Sequence, residues 1–205
     1  MNRVGFLWAK LAGNEAALMR LSASPETLLA ELEGRSVALV GNARSLSERT
    51  EGAAIDGADL VIRLNAAPLP SPVSHGTRTD WMAVSVPVEA EVVAARRPRR
   101  VLWMTPKRKR LPWRIATRPG FALAPEEWNA RLAGELGARP TTGLMAIDLL
   151  ARSSARAVML HGFDFFASLS LSGGRAAKDV PHDFPAERAW VERLVERDQR
   201  FRVAG

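Results

Sequence analysis

Short apolar runs that end in turn residues recur along the chain and alternate with stretches of helical spacing. The run Val37-Ala38-Leu39-Val40 is followed at once by Gly41-Asn42, which predicts a buried strand ending in a turn. Residues 59–65 repeat that design, and further strands are predicted at residues 81–86, 100–104 and 158–160. Strands that alternate with helices predict an α/β fold with a mostly parallel central sheet flanked by helices.

Helical spacing is clearest in three segments. Residues 1–34 have apolar positions three and four apart, with Ser24-Pro25-Glu26 as a helix start and Gly34 as a stop. A second helix is predicted after Thr141-Thr142-Gly143, and a charged helix over residues 185–200 closes the chain. We therefore expect an N-terminal helical segment, residues 1–34, followed by one domain, residues 35–205.

Two segments lack a clear period. Residues 106–125 are rich in proline and arginine, and we predict a loop there. Residues 168–178 (SLSLSGGRAAK) are small, polar and glycine-rich, which is typical of a lid or a disordered connection.

Composition indicates the class of protein, and charge indicates which partners it could bind. The 205 residues are 47% hydrophobic and 25% charged, as in ordinary globular proteins. The formal net charge is +7, and the excess of positive charge lies between Arg96 and Arg114. This charge fits three kinds of partner: nucleic acid, anionic lipid and anionic glycan. A solvated basic loop that binds no partner explains the charge equally well.

The chain has no cysteine, so neither a disulfide nor a thiolate metal site can form. The start of the chain, MNRVGFLWAK, does not match a signal peptide because Lys10 interrupts the apolar run, and no run approaches the ~20 apolar residues of a membrane-spanning helix. We expect a cytoplasmic protein, attached at most to the inner face of the membrane.

The turn after the first predicted strand has the chemistry of a binding site. Gly41 allows a ligand to approach the backbone closely, Asn42 offers both a donor and an acceptor, and Ser45 can donate to a phosphate. The segment matches neither G-x-G-x-x-G nor the Gly-Lys-Ser/Thr phosphate loop, which disfavours dinucleotides and nucleoside triphosphates. By itself, Gly-Asn after a strand is more often a simple turn.

Three motifs in sequence order carry a family resemblance. VALVGNARSL, IDGADLVIRLNAAP and HGTRTD together resemble the large sialylmotif of family 29 sialyltransferases. RPTTGLMAIDLLARSSARAVMLHGFDFF is similar to the small sialylmotif, and His182 with Glu187 matches the His-x4-Glu very small motif. Together the motifs cover roughly half of the chain, and the large motif is highly specific.

The resemblance implies a single Rossmann-like domain of the GT-A-like variant. It also implies an inverting transfer of a nonulosonic acid from a CMP-activated donor to an acceptor hydroxyl. On that basis the donor-binding residues are Gly41, Asn42, Ala43, Asn65, Thr141, Thr142, Gly143, Gly162 and Phe163. Asn42 and Asn65 are expected at the phosphate and ribose of the nucleotide, and the Thr141 to Gly143 turn at the cytidine.

His182 is the implied general base, and Glu187 is expected to orient it. A neutral imidazole that titrates near pH 6.5 can accept the proton of a hydroxyl at physiological pH. The chain has no Asp-x-Asp triplet, which in diphosphate-sugar transferases commonly holds a divalent cation, and we predict neither metal nor cofactor. Backbone amides, Ser45 and Lys178 or Arg175 could instead stabilise the single phosphate of the leaving group.

The chain departs from the family in identifiable ways. Animal members have an N-terminal membrane helix and a disulfide, and the positions aligned with those cysteines are Val37 and Ala155, which are predicted to be core neighbours. The third motif, with its histidine, is missing, so either a basic residue such as Lys178 replaces that histidine or the protein binds without efficient catalysis. The sequence leaves open whether His161 supports the structure or lines the site.

Several alternatives remain at this stage. CMP-sialic acid and CMP-Kdo fit equally well as donors, and a glycan, lipopolysaccharide or capsule precursor fits as acceptor. The basic stretch between Arg96 and Arg114 is a candidate contact with anionic membrane. The same stretch, with Trp103 and Trp113 interleaved, also fits a catalytically degenerate protein that binds nucleotides or nucleic acid. No recognised nucleic-acid module accompanies the stretch, so we do not expect nucleic acid as a partner.

Overall fold

The computed structural model describes residues 1–164 and 182–204. In this part of the chain one sheet of seven strands is flanked by helices on both faces, which confirms the predicted α/β fold. The strands are β1 (Ser36–Val40), β2 (Leu60–Leu64), β3 (Trp81–Val84), β4 (Arg100–Trp103), β5 (Phe121–Leu123), β6 (Ala157–His161) and β7 (Phe201–Val203). All neighbouring strands in it pair in parallel.

Helices connect the strands. They are α1 (Arg3–Leu11), α2 (Glu15–Met19), α3 (Pro25–Leu32), α4 (Gly52–Asp56), α5 (Pro72–His75), α6 (Ala90–Arg96), α7 (Trp113–Ala116), α8 (Glu126–Leu136), α9 (Thr142–Ala151) and α10 (Phe184–Arg197), with 3₁₀ turns at Arg44–Glu48 and Arg108–Arg110. Ser24 caps α3, as its sequence predicts, and Thr141 caps α9 by accepting a hydrogen bond from the amide of Leu144. In the described ranges no helix is long and apolar enough to span a bilayer.

The strand order is β5-β4-β3-β2-β1-β6-β7. The chain therefore adds β2 to β5 in order on one side of β1, and then places β6 and β7 on the other side. Order reversals of this kind leave a crevice at the carboxyl ends of the two strands, and open α/β sheets bind their ligands there. In this protein the crevice lies where Gly41 follows β1 and Gly162 follows β6.

Alternate residues of each strand contribute to opposite faces of the sheet. Val37 and Leu39 of β1 belong to the larger core, which is closed by α3, α8, α9 and α10. Ala38 and Val40 lie in a separate cluster with Leu46 of the first 3₁₀ turn. Because both faces are covered, β1 is a continuous apolar run rather than an alternating one. Ala155 is buried in the same core as Val37.

Two predicted segments differ from the structure. Residues 106–125 are not a loop: they contain a 3₁₀ turn, α7 and the edge strand β5. Each of these elements is only three or four residues long, so none shows a period among the prolines and arginines of the segment. The final helix ends at Arg197, three residues earlier than predicted, and β7 follows it. The predicted lid at residues 168–178 lies outside the described residues.

Candidate active site

Two glycine turns meet at the crevice between β1 and β6. The amide of Gly41 donates to the carbonyl of His161 at 2.7 Å, and the amide of Ala43 donates to the carbonyl of Gly162 at 3.1 Å. A Cβ atom on Gly41 would lie 2.4 Å from the carbonyl oxygen of Gly162, which is closer than real Cβ contacts allow. Glycine at position 41 is therefore a requirement of the close approach of the two turns.

The ring of Phe163 joins these turns to the start of α9. Phe163 Cδ2 would be 3.1 Å from a Cβ on Gly41, and Cε1 would be 2.9 Å from a Cβ on Gly143. One aromatic ring thus lies against both glycines, which belong to the large and the small motif. The structure brings together Gly41, Gly143, Gly162 and Phe163, all of which the sequence predicts as donor-binding residues.

Glu187 is bound to the same helix start. Its Oε1 accepts from the amide of Thr141 at 2.6 Å, and its Oε2 lies 2.7 Å from the Thr141 hydroxyl. The side chain is buried, and burial raises the pKa of Glu187 to about 7. Both carboxylate oxygens thus contact Thr141, so Glu187 holds the turn that begins α9.

The raised pKa of Glu187 makes stability depend on pH. A carboxyl whose folded pKa is above its unfolded value of 4.5 contributes stability that is complete below pH 4.5 and is lost as pH rises through about 7. In Glu187→Gln the amide can still donate to the Thr141 hydroxyl and accept from its N–H. We therefore expect this variant to keep its melting temperature between pH 5 and 8, a range over which the parent protein's melting temperature falls.

The Glu187→Gln comparison has two controls, both measured by thermal unfolding across that pH range. Glu192→Gln changes an exposed carboxylate of the same helix α10, and it should retain the pH dependence of the parent protein. Glu187→Ala leaves the Thr141 amide without its acceptor and should cost about 1–3 kcal/mol at the acidic end of the range, with a smaller cost as pH rises through about 7. Parallel pH curves for Glu187→Gln and the parent would show that Glu187 does not titrate in this range.

His182 lies just before α10 and is partly buried. Its Nδ1 is 2.8 Å from the carbonyl oxygen of Arg139. Since a carbonyl can only accept, the neutral ring carries its hydrogen on Nδ1, and Nε2 is the unprotonated nitrogen. Burial lowers the pKa of His182, against the effect of the Arg139 carbonyl, and the positive charges of Arg139 and Lys107 lower it further. The imidazole is therefore neutral at pH 7, as a general base must be.

Asn65 ends β2 in the left-handed region, with φ of 49°. Its Oδ1 accepts from the amide of Ser85 at 3.0 Å, and its own amide donates to the carbonyl of Ala83. These bonds join the carboxyl ends of β2 and β3. They use the side-chain oxygen and the backbone N–H of Asn65, so the side-chain Nδ2 is the donor that remains for a ligand. Asn42 and Thr142 are partly buried, and Ser45 Oγ lies 3.5 Å from Asp164 Oδ2.

Lys178 and Arg175, the predicted phosphate contacts, lie outside the described residues. The sequence analysis did not predict two other cations, Arg139 and Lys107, as site residues. Arg139 precedes the Pro140-Thr141 turn and orients His182 through its carbonyl, while Lys107 lies close enough for its charge to act on that imidazole. Arg139 is the first residue of the small motif, which was a usable signal, whereas nothing in the basic stretch singled out Lys107.

The other histidines have structural partners. His161 is buried, with Nδ1 2.6 Å from Glu51 Oε2, and His75 Nδ1 lies 2.7 Å from the hydroxyl of Ser74. Arg78 also has a structural partner, since its guanidinium pairs with the carboxylate of Asp80 at 2.8 Å. Arg63 is also structural: it is buried and donates to the carbonyls of Arg78 and His75 at 2.7 Å each.

The basic stretch between Arg96 and Arg114 is not one continuous charged surface. Arg100 pairs with Glu31, and Arg108 is buried against Glu15. Other arginines of the stretch bind backbone carbonyls, as Arg114 does at Val88. Trp103 is fully buried, so it cannot stack on a nucleic-acid base, and Trp113 packs edge-on against Phe6. These contacts remove most of the support for a nucleic-acid interface.

Within residues 1–164 and 182–204, no group of three or more histidine, aspartate and glutamate side chains could hold a metal ion. Metal independence of the reaction stays a prediction.

The sequence comparison decides the family. The model of glycosyltransferase family 29 (sialyltransferase) matches residues 4–106, half of the chain, including the whole large motif. The chain belongs to glycosyltransferase family 29. This confirms the resemblance and makes the protein a sialyltransferase-like glycosyltransferase. No curated protein sequence matches the chain.

Solved structures agree with this family 29 assignment in fold. A mammalian sialyltransferase is 18% identical, with a TM-score of 0.73, over 97% of this chain and 78% of that one. The sialyltransferase CstII from Campylobacter jejuni, in complex with the substrate analogue CMP-3FNeuAc, is 12% identical, with a TM-score of 0.52, over 82% and 78% of the two chains. CstII with CMP and a trisaccharide acceptor gives a TM-score of 0.56 at 13% identity, over 82% and 80%. The predicted Rossmann-like fold is thereby confirmed.

Proposed function

We propose that this family 29 member transfers a nonulosonic acid, sialic acid or Kdo, from its CMP-activated donor to a hydroxyl of a glycan or lipopolysaccharide acceptor. The proposal rests on one observation above all. The turns of the large and small motifs meet around Phe163 at the crevice between β1 and β6, where open α/β sheets bind nucleotides.

The donor nucleotide occupies that crevice in our proposal. Gly41, Asn42, Ala43 and Gly162 line the side of the phosphate and ribose, with the Nδ2 donor of Asn65 at the neighbouring strand end. Thr141, Thr142 and Gly143 contact the cytidine, and Glu187 fixes their backbone through Thr141. The support is structural: each of these residues lies in a strand-end turn or at the start of α9.

His182 acts as general base in the transfer. Nε2 takes the proton of the acceptor hydroxyl, whose oxygen forms the new bond to the anomeric carbon as the bond from that carbon to the CMP phosphate oxygen breaks. The electron pair of the broken bond leaves with CMP, and attack from the opposite face inverts the anomeric centre. The Arg139 carbonyl supports this role because it holds the hydrogen on Nδ1.

Positive charge on the chain takes the place of a metal ion in this scheme. The donor carries one phosphate and one carboxylate, and the charges of Lys107 and Arg139 both act at His182. Lys178 and Ser45 are further candidates for the phosphate of departing CMP. The CstII structures support the donor class by analogy, because their bound ligands are CMP and CMP-3FNeuAc. We further propose that the enzyme works in the cytoplasm at the inner membrane face, on lipopolysaccharide or capsule precursors.

The proposed donor is tested by thermal shift with CMP, CDP, UDP and GDP, followed by hydrolysis assays on CMP-sialic acid and CMP-Kdo. CMP should raise the melting temperature, whereas UDP and GDP should not, because only a ligand of the folded state stabilises it. Turnover of the preferred donor should survive EDTA. A shift with UDP but not with CMP contradicts the donor class, and activity lost to EDTA and restored by Mg²⁺ contradicts metal independence.

A further inference from the structure

Helix α1 has an apolar face that the rest of the protein does not cover. Val4, Leu7, Trp8 and Leu11 are 54–68% exposed. Their spacing of three, four and seven residues places them within an arc of about 100° on the helix. Apolar side chains scattered singly over a surface are normal, whereas four on one helical stripe form a patch that indicates an interaction site.

The opposite face of α1 is fixed to the protein. Phe6 and Ala9 are buried in the core on that side of the sheet, and the Phe6 ring lies 5.1 Å from the ring of Trp113. Lys10 Nζ donates to the carbonyl of Leu111 at 2.6 Å. Since α1 is anchored along its inner side, its outer stripe is held facing away from the core.

Exposed cations lie beside this helix. The 3₁₀ turn Arg108–Arg110 lies against α1 and presents Lys109 and Arg110 to solvent. Arg108 holds the turn in place: its side chain is buried, binds Glu15 at 2.5–2.9 Å, and donates to the carbonyls of Thr105 and Ala124. The apolar stripe and the two cations therefore lie on two elements that are packed against each other.

We propose that α1 and the Arg108–Arg110 turn form a docking surface for a bilayer that contains anionic phospholipid. Interfacial helices combine tryptophan and leucine on one face with adjoining lysine and arginine. A second copy of this chain is a poorer partner, because its own Lys109 and Arg110 would add positive charge to the interface. The basic turn follows β4 and Gly41 follows β1, so both lie at the carboxyl ends of the parallel strands. Docking through this turn therefore brings the candidate active site toward the lipid.

The test uses the full chain and flotation with vesicles of phosphatidylcholine, alone or mixed with phosphatidylglycerol. The protein should float with the mixed vesicles, and Leu7→Glu with Leu11→Glu should abolish flotation. Val73→Glu is the matched control, since Val73 is a similarly exposed apolar residue, 63% exposed, on α5. Lys109→Gln and Arg110→Gln should each weaken binding about fivefold, whereas Arg202→Gln, on the far edge strand β7, should not.

Trp8 provides a local readout. It is 67% exposed, whereas the other five tryptophans are buried or partly buried, so Trp8 should dominate any change in fluorescence on binding. We expect a blue shift on adding mixed vesicles, and the loss of that shift in Trp8→Phe. Light scattering after size exclusion checks the rival partner. A dimer that Leu11→Glu dissociates, or flotation that Leu7→Glu with Leu11→Glu leaves intact, overturns the proposal. All variants should bind CMP as the parent does, whichever result is obtained.

Discussion

Replacing His182 with alanine is expected to lower the rate of transfer by about 10²–10⁴-fold, the usual contribution of a general base. The affinity for CMP should change little, because His182 bonds to the Arg139 carbonyl rather than to the glycine turns that line the crevice. The two quantities are measured by single-turnover transfer and by calorimetric titration with CMP. Equal losses in both would mean that His182 binds the nucleotide instead of the acceptor proton.

The pH profile gives the same hypothesis a second test. Protonation removes the basic nitrogen, so activity should fall on the acidic side. Since the folded pKa of His182 is lowered, the midpoint of that fall should lie below pH 6.5. The acidic fall should be absent from the residual activity of His182→Ala. A midpoint above pH 6.5 would contradict the assignment of His182 as a buried, neutral base.

Gly41→Ala is expected to damage both stability and donor binding. The added Cβ would lie 2.4 Å from a backbone oxygen, which cannot rotate away, so β1 and β6 must move apart at their carboxyl ends. Strain of this kind typically costs about 1–3 kcal/mol. The same displacement opens the crevice, and we expect CMP affinity to fall by at least tenfold. Thermal unfolding and CMP titration measure the two effects.

Gly134→Ala is the matched control for Gly41→Ala. Gly134 lies inside α8, and apart from its chain neighbours and the backbone of its own helix no described atom is within 4 Å of the position its Cβ would take. Alanine there should stabilise the protein by up to about 1 kcal/mol, through helix propensity, and leave CMP binding unchanged. If Gly41→Ala behaved like Gly134→Ala, the close contact between the glycine turns would not matter for the site.

The central fold was predictable because its strands are short apolar runs with both faces buried. Val37 to Val40 has that pattern, and the turn that follows it contains the glycine on which the crevice depends. The edge strands β5 and β7 were missed. Each has three residues, too few to show a period, and their place in the sheet is set by pairing with distant strands.

Several predicted site residues lie together in the structure, but their contacts could not be predicted from the sequence. The motif spacing places Glu187 near His182 and predicts that one orients the other. In the structure Glu187 instead binds Thr141, and the Arg139 carbonyl holds His182. Such pairings depend on how α9 and α10 pack together, which helical periodicity does not encode.

The net charge of a sequence segment was the least reliable predictor of a binding surface. The stretch between Arg96 and Arg114 has a strong positive excess in sequence, yet the folded chain pairs Arg100 with Glu31 and Arg108 with Glu15. A charge count registers neither these distant acidic partners nor the backbone carbonyls that other arginines bind. Conversely, the helical spacing in residues 1–34 did not show that one apolar stripe of α1 would stay exposed, because the side that a helix buries is decided by tertiary packing.

The reversal of strand order at β1 has a consequence for synthesis on the ribosome. β1 through β5 emerge first, whereas β6, the second neighbour of β1, is made much later. Until then Val37 to Val40 is an apolar edge strand with unpaired amides and carbonyls, the kind of edge that recruits other chains. Fragments that end before Ala157 are therefore expected to aggregate, and the nascent chain should depend on a chaperone until β6 (Ala157–His161) has been made and has paired with β1.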